Sequence, residues 1–145
     1  MFRYLWLFAL SLSASLAAAQ STDPSWELLS EIEIKETING DMWSAEKTYP
    51  DDLTTEEPFT ITGYYVPLMA QAYQSQILLV PDPADCPFCG TNSYGPTLEV
   101  RLDRPLPDLP QFTLLTVTGQ LEKIEDPETW QAIRLVGADW QVEES

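Results

Sequence analysis

A small all-β domain built as a five-stranded barrel is the fold that this sequence predicts. Five separate runs of alternating or continuous apolar residues follow residue 57, the pattern of strands that face a core. Glycines stand inside three of these runs, at Gly63, Gly119 and Gly137, where an internal glycine often marks a bend in a curled sheet. No convincing helical periodicity separates the runs. Together these observations favour an OB-like barrel, with a β-sandwich as the alternative.

The first 19 residues have the three parts of a secretory signal peptide. Arg3 supplies a positive start, an apolar run follows, and Ala17-Ala18-Ala19 matches an A-x-A cleavage site before Gln20. The apolar run is too short for a membrane span, which needs about 20 residues. We therefore expect a periplasmic or secreted protein with no stable membrane insertion after cleavage.

Residues 20–57 are predicted as an N-terminal extension that ends in an acidic loop. Trp26 and its neighbours favour either a helical turn capped by Ser25 or the start of a strand. Ile32 and Ile34 alternate with charged residues, which indicates a strand to about Thr37. The polar segment 38–58 is expected to be a long loop with a tight turn at Asn39-Gly40, holding Trp43 against the core.

Residues 58–142 are predicted as the OB-like domain. In the strand 59–67, Ile61, Gly63 and Tyr65 share one face, and the run 76–81 reads as a strand buried on both faces. The next strand, 97–102, points Leu98, Val100 and Leu102 inward. Segment 103–111 contains three prolines and is expected to be a linker without helix. A shift of phase near 114–115 predicts a bulge in the strand 112–124, and a last strand covers 131–140.

The net charge of the chain limits the classes of partner that are expected to bind it. Seven basic residues face 23 acidic ones, for a net charge of −16. Such a chain repels nucleic acid and anionic lipid, so neither is expected as a partner. A solvated acidic surface that keeps an exported protein soluble explains this composition, and it also suits cationic partners or metal ions.

The chain contains no histidine, which excludes many catalytic and metal sites. Neither a Ser-His-Asp nor a Cys-His arrangement can be built, and no histidine-based zinc or iron site is available. Phosphate-binding glycine motifs and calcium-loop motifs are also missing from the sequence. Adjacent acidic pairs occur in segments expected to be solvated loops. The sequence therefore predicts that the protein is not an enzyme.

The only two cysteines, Cys86 and Cys89, form a C-x-x-C pair with three interpretations. A structural disulfide is favoured, because exported proteins with an even cysteine count normally pair them. Metal binding is the alternative: two thiolates with Asp85 as a third ligand could hold a zinc or copper ion, and otherwise no cofactor is expected. Catalytic redox exchange is disfavoured, since the glycines and Pro96 that follow oppose a helix starting at the motif.

Aromatic residues supply a candidate interaction surface. Tyr64 lies in the first barrel strand, Phe88 lies between the cysteines, and Tyr94 follows them. A face of this kind on an OB barrel often binds oligomers, and the negative charge leaves sugars, peptides or proteins as ligands.

Several short motifs resemble the DUF3299-like family of small exported bacterial proteins of unknown function. A glycine–aromatic strand that ends in Pro-Leu is followed by an apolar strand that ends in proline and by a cysteine-bearing loop. The matching positions are Gly63, Tyr64, Pro67, Leu68, Leu78, Leu79, Val80, Pro81 and Cys86. The resemblance covers residues 26–140 and implies an OB-like fold and a periplasmic address, without a settled activity.

From these observations we expect an exported binding or accessory protein, without catalytic activity, that contacts another envelope protein. The alternative is a periplasmic protein that handles zinc or copper through its C-x-x-C pair. The oligomeric state does not follow from the sequence.

Overall fold

The computed structural model describes residues 23–88 and 96–144. These residues form α1 (Ser25–Ser30), β1 (Glu33–Asn39), β2 (Met42–Thr48), β3 (Pro58–Pro67), β4 (Tyr73–Val80), β5 (Leu98–Pro107), β6 (Leu114–Lys123) and β7 (Ile133–Val142), with a 3-10 turn at Pro83–Asp85. Within the described ranges no helix is long and apolar enough to cross a membrane. The predicted signal peptide lies outside the described residues.

Strands β3 to β7 close into a barrel in the order β3-β4-β5-β7-β6. All neighbouring strands are antiparallel except β5 and β7, which are parallel. This arrangement confirms the predicted five-stranded, all-β, OB-like barrel rather than a sandwich. The inward side chains form one core, and the fully buried ones include Ile61, Tyr65, Ile77, Leu79, Leu98, Val100, Leu115 and Leu135. The predicted inward face of the third barrel strand is confirmed.

Helix α1 fills a gap beside β3. Strand β4 pairs with β3 only from Tyr64 onward, so the edge of β3 at Thr62 has no partner from β4. The Thr62 amide donates to Asp23 Oδ2 at 2.7 Å, and Trp26 Nε1 donates to the Thr62 carbonyl at 2.7 Å. Trp26 and Leu29 are buried in the barrel core. The ambiguous sequence near Trp26 is thus a helix, and it is Pro24, not Ser25, that occupies the N-cap.

The long loop predicted for residues 38–58 is wrong where β1 continues to Asn39 and where Met42–Thr48 form a further strand. Met42–Thr48 form β2, which pairs with β1 in an antiparallel hairpin. The predicted tight turn is present, with Gly40 at φ +62° in the first central position of a two-residue turn. Tertiary contacts stabilise this polar strand, since the Ala45 amide donates to the Pro127 carbonyl at 2.8 Å.

Two further predictions about the barrel are also corrected. Strand β5 continues to Pro107, so the predicted linker 103–111 begins as strand. The proline at 105 is tolerated because the register with β4 jumps from Arg101 to Leu106, which leaves it without a partner on β4.

The bulge predicted at 114–115 lies instead where β6 meets β7. The register between them shifts after Thr118, and Gly137 on β7 has φ +59°. The backbone of the bulged β7 comes so close to β6 that a Cβ on Gly119 would lie 2.7 Å from the Val136 carbonyl oxygen. A glycine on each strand therefore permits this bend.

Candidate functional site

A groove of about 720 Å³ lies between the N-terminal segment and the outer face of the barrel. We call it the lateral groove. Its lining residues come from the α1–β1 segment, the outer face of β4 and β5, the segments that flank these strands and the β6–β7 connection; the principal ones are Leu29, Ile34, Leu78, Glu99, Trp130 and Gln131.

Strand alternation determines the floor of the groove. Leu78 and Glu99 are cross-strand partners on β4 and β5. Each stands between two residues that point into the core, so the pleat turns both side chains outward. The lateral groove therefore uses the outer face of the second and third barrel strands, the face that binds ligands in many OB folds.

One wall of the groove is formed by Trp130, which packs against Trp43. Trp130, in the β6–β7 connection, is 52% exposed although it is a large apolar side chain. Its ring centroid lies 5.4 Å from that of Trp43 on β2, with the planes tilted by 41°. Trp43 Nε1 donates to Glu36 Oε1 at 3.2 Å, which holds the second ring in place. Trp43 thus supports the groove wall rather than packing in the barrel core as expected.

Polar contacts hold the β6–β7 connection against the hairpin. Lys47 Nζ donates to the carbonyls of Ile124 at 2.8 Å and Asp126 at 2.6 Å. The Tyr49 hydroxyl donates to the Ala132 carbonyl at 2.8 Å. Burial, and then the nearby Glu125 carboxylate, raises the pKa of Tyr49 above its ordinary value, which favours the protonated hydroxyl that donates this bond. The wall that carries Trp130 is therefore supported from behind.

Glu99, a charged residue on the groove floor, is hydrogen-bonded to its neighbours. Glu99 accepts a hydrogen bond from Arg101 Nε at 3.1 Å and another from Gln131 Nε2. Arg134 lies in register between Glu99 on β5 and Glu122 on β6, and its Nε is 3.8 Å from Glu122 Oε2. The buried Arg134 Nε has no hydrogen-bond partner among the described residues, because its contact with Glu122 is longer than a hydrogen bond. Glu99, by contrast, is already engaged by Arg101 and Gln131.

Cys86 belongs to a second, smaller apolar cluster. Cys86 is fully buried with Val66, Leu78 and Val80, and Gln111 Nε2 approaches its Sγ at 3.8 Å. Cys86 is not a free thiol. Its predicted partner Cys89 lies outside the described residues, so the disulfide stays a prediction.

The metal alternative is also left untested. Asp85 is half-buried and closes the 3-10 turn before Cys86, while Asp82 Oδ1 accepts the Ala84 amide at 2.8 Å. Groups of three metal-ligating side chains are absent from the described residues. Cys89 is not among them, so the ligand set of Cys86, Cys89 and Asp85 stays a prediction.

The predicted aromatic surface is described only for two of its three residues. Tyr64 is half-buried against the second apolar cluster, and Phe88 is 68% exposed. Tyr94 lies outside the described residues. Neither Tyr64 nor Phe88 lines the lateral groove.

The residues of the groove were missed by sequence reasoning. Trp130 stands in the polar run EDPETWQA, and a lone tryptophan in such a connection was the one available signal. Nothing local indicated that it would meet Trp43 on a strand that was itself expected to be loop.

Comparison with known proteins adds no relative. The chain matches no protein-family model, no curated protein and no solved structure. The resemblance to the DUF3299-like family therefore stays a prediction.

Proposed function

We propose that this chain is an exported, non-catalytic binding module that holds another envelope protein in its lateral groove. The observation that carries the proposal is the exposed Trp130 on the wall of that groove. Tryptophan is enriched among the residues that dominate binding energy, and here it is presented rigidly beside apolar side chains. The predicted signal peptide is the basis for the envelope location in this proposal.

A pre-formed binding surface needs support behind its contact residues, and the groove has it. The Lys47 and Tyr49 contacts connect the hairpin to the β6–β7 connection, and Trp43 backs the Trp130 ring. A partner that binds here orders few additional groups, so less of its interaction energy is lost to conformational entropy.

Site-specific photo-cross-linking tests the proposal in the producing cell. A photoreactive amino acid replaces Ile34 or Thr97, which line the groove, or Gln141, an exposed control position on β7 outside it. We expect one discrete cross-linked envelope protein from the two groove positions and none from the control position. Cross-links from the control alone, or from no position, would contradict the proposal.

The cross-linked partner is then purified and its affinity measured with two matched variants. Trp130→Ala should weaken binding by about tenfold or more, because truncating a tryptophan that dominates an interface typically costs about 2 kcal/mol or more. Phe88→Ala removes an aromatic residue outside the groove that is even more exposed than Trp130, and it should leave binding unchanged. The reverse result would move the contact to the C-x-x-C loop.

Metal handling by Cys86, Cys89 and Asp85 remains the alternative function. No contact among the described residues favours it, and its test is given with the cysteine prediction in the Discussion.

A further inference from the structure

The outer edge of β1 is the side of this strand that faces away from β2. The Ala45 amide on β2 points away from β1, since it donates to the Pro127 carbonyl at 2.8 Å. Ala45 is the cross-strand partner of Glu36, and in such a non-bonded antiparallel pair both backbones point outward. The N–H and C=O of Glu36 therefore face the outer edge of β1, and those of Ile34 and Ile38 do the same by alternation.

This edge is accessible and joins the lateral groove. Among the described residues, β1 and β2 form a sheet of two strands, with no third strand on the β1 side. Ile34 lines the groove, and Ile38 near the hairpin tip is 69% exposed. A bare edge of this kind is a template for another extended chain.

Charge distinguishes between the possible occupants. A second copy would bring its own net charge of −16, and antiparallel pairing centred on Glu36 would set one glutamate opposite the other. Glu33 and Glu36 are both exposed on β1, against a single basic residue, Lys35. An extended chain rich in lysine or arginine is the complementary occupant.

We propose that β1 accepts a basic, extended segment of the protein partner as a third antiparallel or parallel strand. This inference rests on the proposed function and names the partner chemistry and binding mode at the same site. Main-chain hydrogen bonds to Ile34, Glu36 and Ile38 supply the pairing, and side chains of the added strand reach the adjoining groove.

Synthetic peptides test the mode without needing the natural partner. The probe is a short peptide of alternating lysine and valine, blocked at both ends. One control replaces lysine with glutamate, and a second keeps lysine but carries a methyl group on every backbone amide. We expect the basic peptide to bind at least about tenfold more tightly than either control, because only it combines charge with free strand amides. Equal binding of the methylated peptide would reveal general charge attraction and overturn the proposal.

Amide hydrogen exchange locates the contact. On addition of the basic peptide the amides of Ile34, Glu36 and Ile38 should slow, whereas those of Lys35 and Thr37, already paired with β2, should not change. Protection that does not alternate, or that falls elsewhere, would overturn the assignment. Slow exchange of the three amides in the free protein would show that its own chain or a second copy already covers the edge, which also overturns it.

A variant provides the complementary test. Glu36→Pro removes one outward amide and should weaken basic-peptide binding while the Ala45 amide and the barrel amides keep their protection. If this variant loses the hairpin, the methylated peptide decides the question alone. Cross-links from the groove without peptide binding would overturn the strand pairing and leave the proposed function standing. Peptide binding without any cross-linked partner would overturn the proposed function instead.

Discussion

Gly63 illustrates how one residue can determine the packing of an element distant in sequence. A Cβ at this position would lie 2.7 Å from Trp26 Cζ2, 3.1 Å from the Val80 carbonyl oxygen and 3.4 Å from the Leu79 Cβ. The absent side chain is therefore the space into which the tryptophan of α1 packs. The sequence indicated a bend at this glycine, whereas in the structure the glycine leaves room for an aromatic ring to pack.

Replacing Gly63 with alanine should destabilise the fold through this contact. We expect Gly63→Ala to lower the free energy of unfolding by about 1–3 kcal/mol, the usual cost of overpacking. In a Trp26→Leu background, which lacks the clashing ring atom, most of that cost should disappear. Urea unfolding of the two single variants and the double variant measures this coupling.

Gly119→Ala is the matched control in the same background. Its Cβ would meet the Val136 carbonyl oxygen at 2.7 Å and the Ala138 Cα at 3.0 Å, which are backbone atoms of β7. Its cost should be the same with Trp26 or with leucine at that position. If the cost of Gly63→Ala is also the same in both backgrounds, then the added methyl group does not destabilise the fold by displacing Trp26.

Because of Tyr65, the free energy of unfolding of the barrel should fall at alkaline pH. Its side chain is fully buried, and burial, followed by the charge of Asp108 and the hydrogen bond to it, raises the pKa to about 12 from 10.0. The folded state thus keeps its proton where the unfolded chain ionises. This contribution is complete below pH 10 and is lost as the pH rises towards 12.

Tyr65→Phe removes the titration and provides the measurement. Between pH 9 and 11 the native protein should lose about 1 kcal/mol more of its free energy of unfolding than the variant does. Parallel pH profiles for the two proteins would contradict the raised pKa, whatever the stability of the variant at neutral pH.

At the scale of elements, the hairpin β1–β2 depends on contacts with a distant connection. Strand β2 reads MWSAEKT, which has little apolar alternation of its own. Its order comes from Lys47, from the Ala45 amide and from the Trp43–Trp130 pair, all of which reach the β6–β7 connection. Local pattern could therefore predict β1 and the turn but not the strand that follows.

Lys47→Met should loosen the hairpin without unfolding the barrel. The substitution keeps a long side chain and removes two donated hydrogen bonds, so the free energy of local hairpin opening should fall by about 1–3 kcal/mol. Native-state hydrogen exchange should show faster β1 and β2 amides and unchanged amides in β3 to β7.

Lys35→Met is the control on the same hairpin, since Lys35 is an exposed residue of β1. It should leave hairpin exchange nearly unchanged. Equal effects of the two variants would indicate a general response to lost charge rather than loss of the two Lys47 contacts.

At the scale of the whole molecule, the redox state of the cysteine pair depends on the compartment in which the protein is expected to fold. We expect the protein purified from the periplasm to contain no titratable thiol and no stoichiometric zinc or copper. A Cys86→Ser/Cys89→Ser variant should lose about 2 kcal/mol of stability, the loop-entropy contribution of so short a crosslink. Thiol titration, metal analysis and urea unfolding check the three statements.

The opposite outcome has a clear signature. One equivalent of zinc or copper in the native protein, absent from the double variant, would establish the metal alternative in place of the disulfide. Asp85→Asn would then weaken metal binding if Asp85 is the third ligand, since the variant keeps the shape of the side chain and removes its charge.

Much of the barrel was predictable because its information is local. The inward positions of β5 and the buried run in β4 follow from alternation and continuous apolar sequence. Strand pairing, by contrast, joins residues far apart in the chain. Pro105 looked like the start of a linker, and only the jump in the β4–β5 register explains how it can lie within a strand.

The groove was not predictable for the same reason. Glu99 and Gln131 are separated by 32 positions, and their hydrogen bond exists only because parallel β5 and β7 lie side by side. The side chains that make the site have no common motif. Their proximity is a result of closure of the barrel.

By itself the sequence determined the all-β class, the acidic charge, the absence of histidine chemistry and the isolation of two cysteines in one loop. Each of these depends on composition or on periodicity within a few residues. Tertiary structure alone decided that α1 fills the gap beside β3, that β2 exists, and that Trp130 stands exposed over a groove beside the free edge of β1. The physical reason is that burial and hydrogen bonding are satisfied by distant partners, and a single sequence does not state which segments meet.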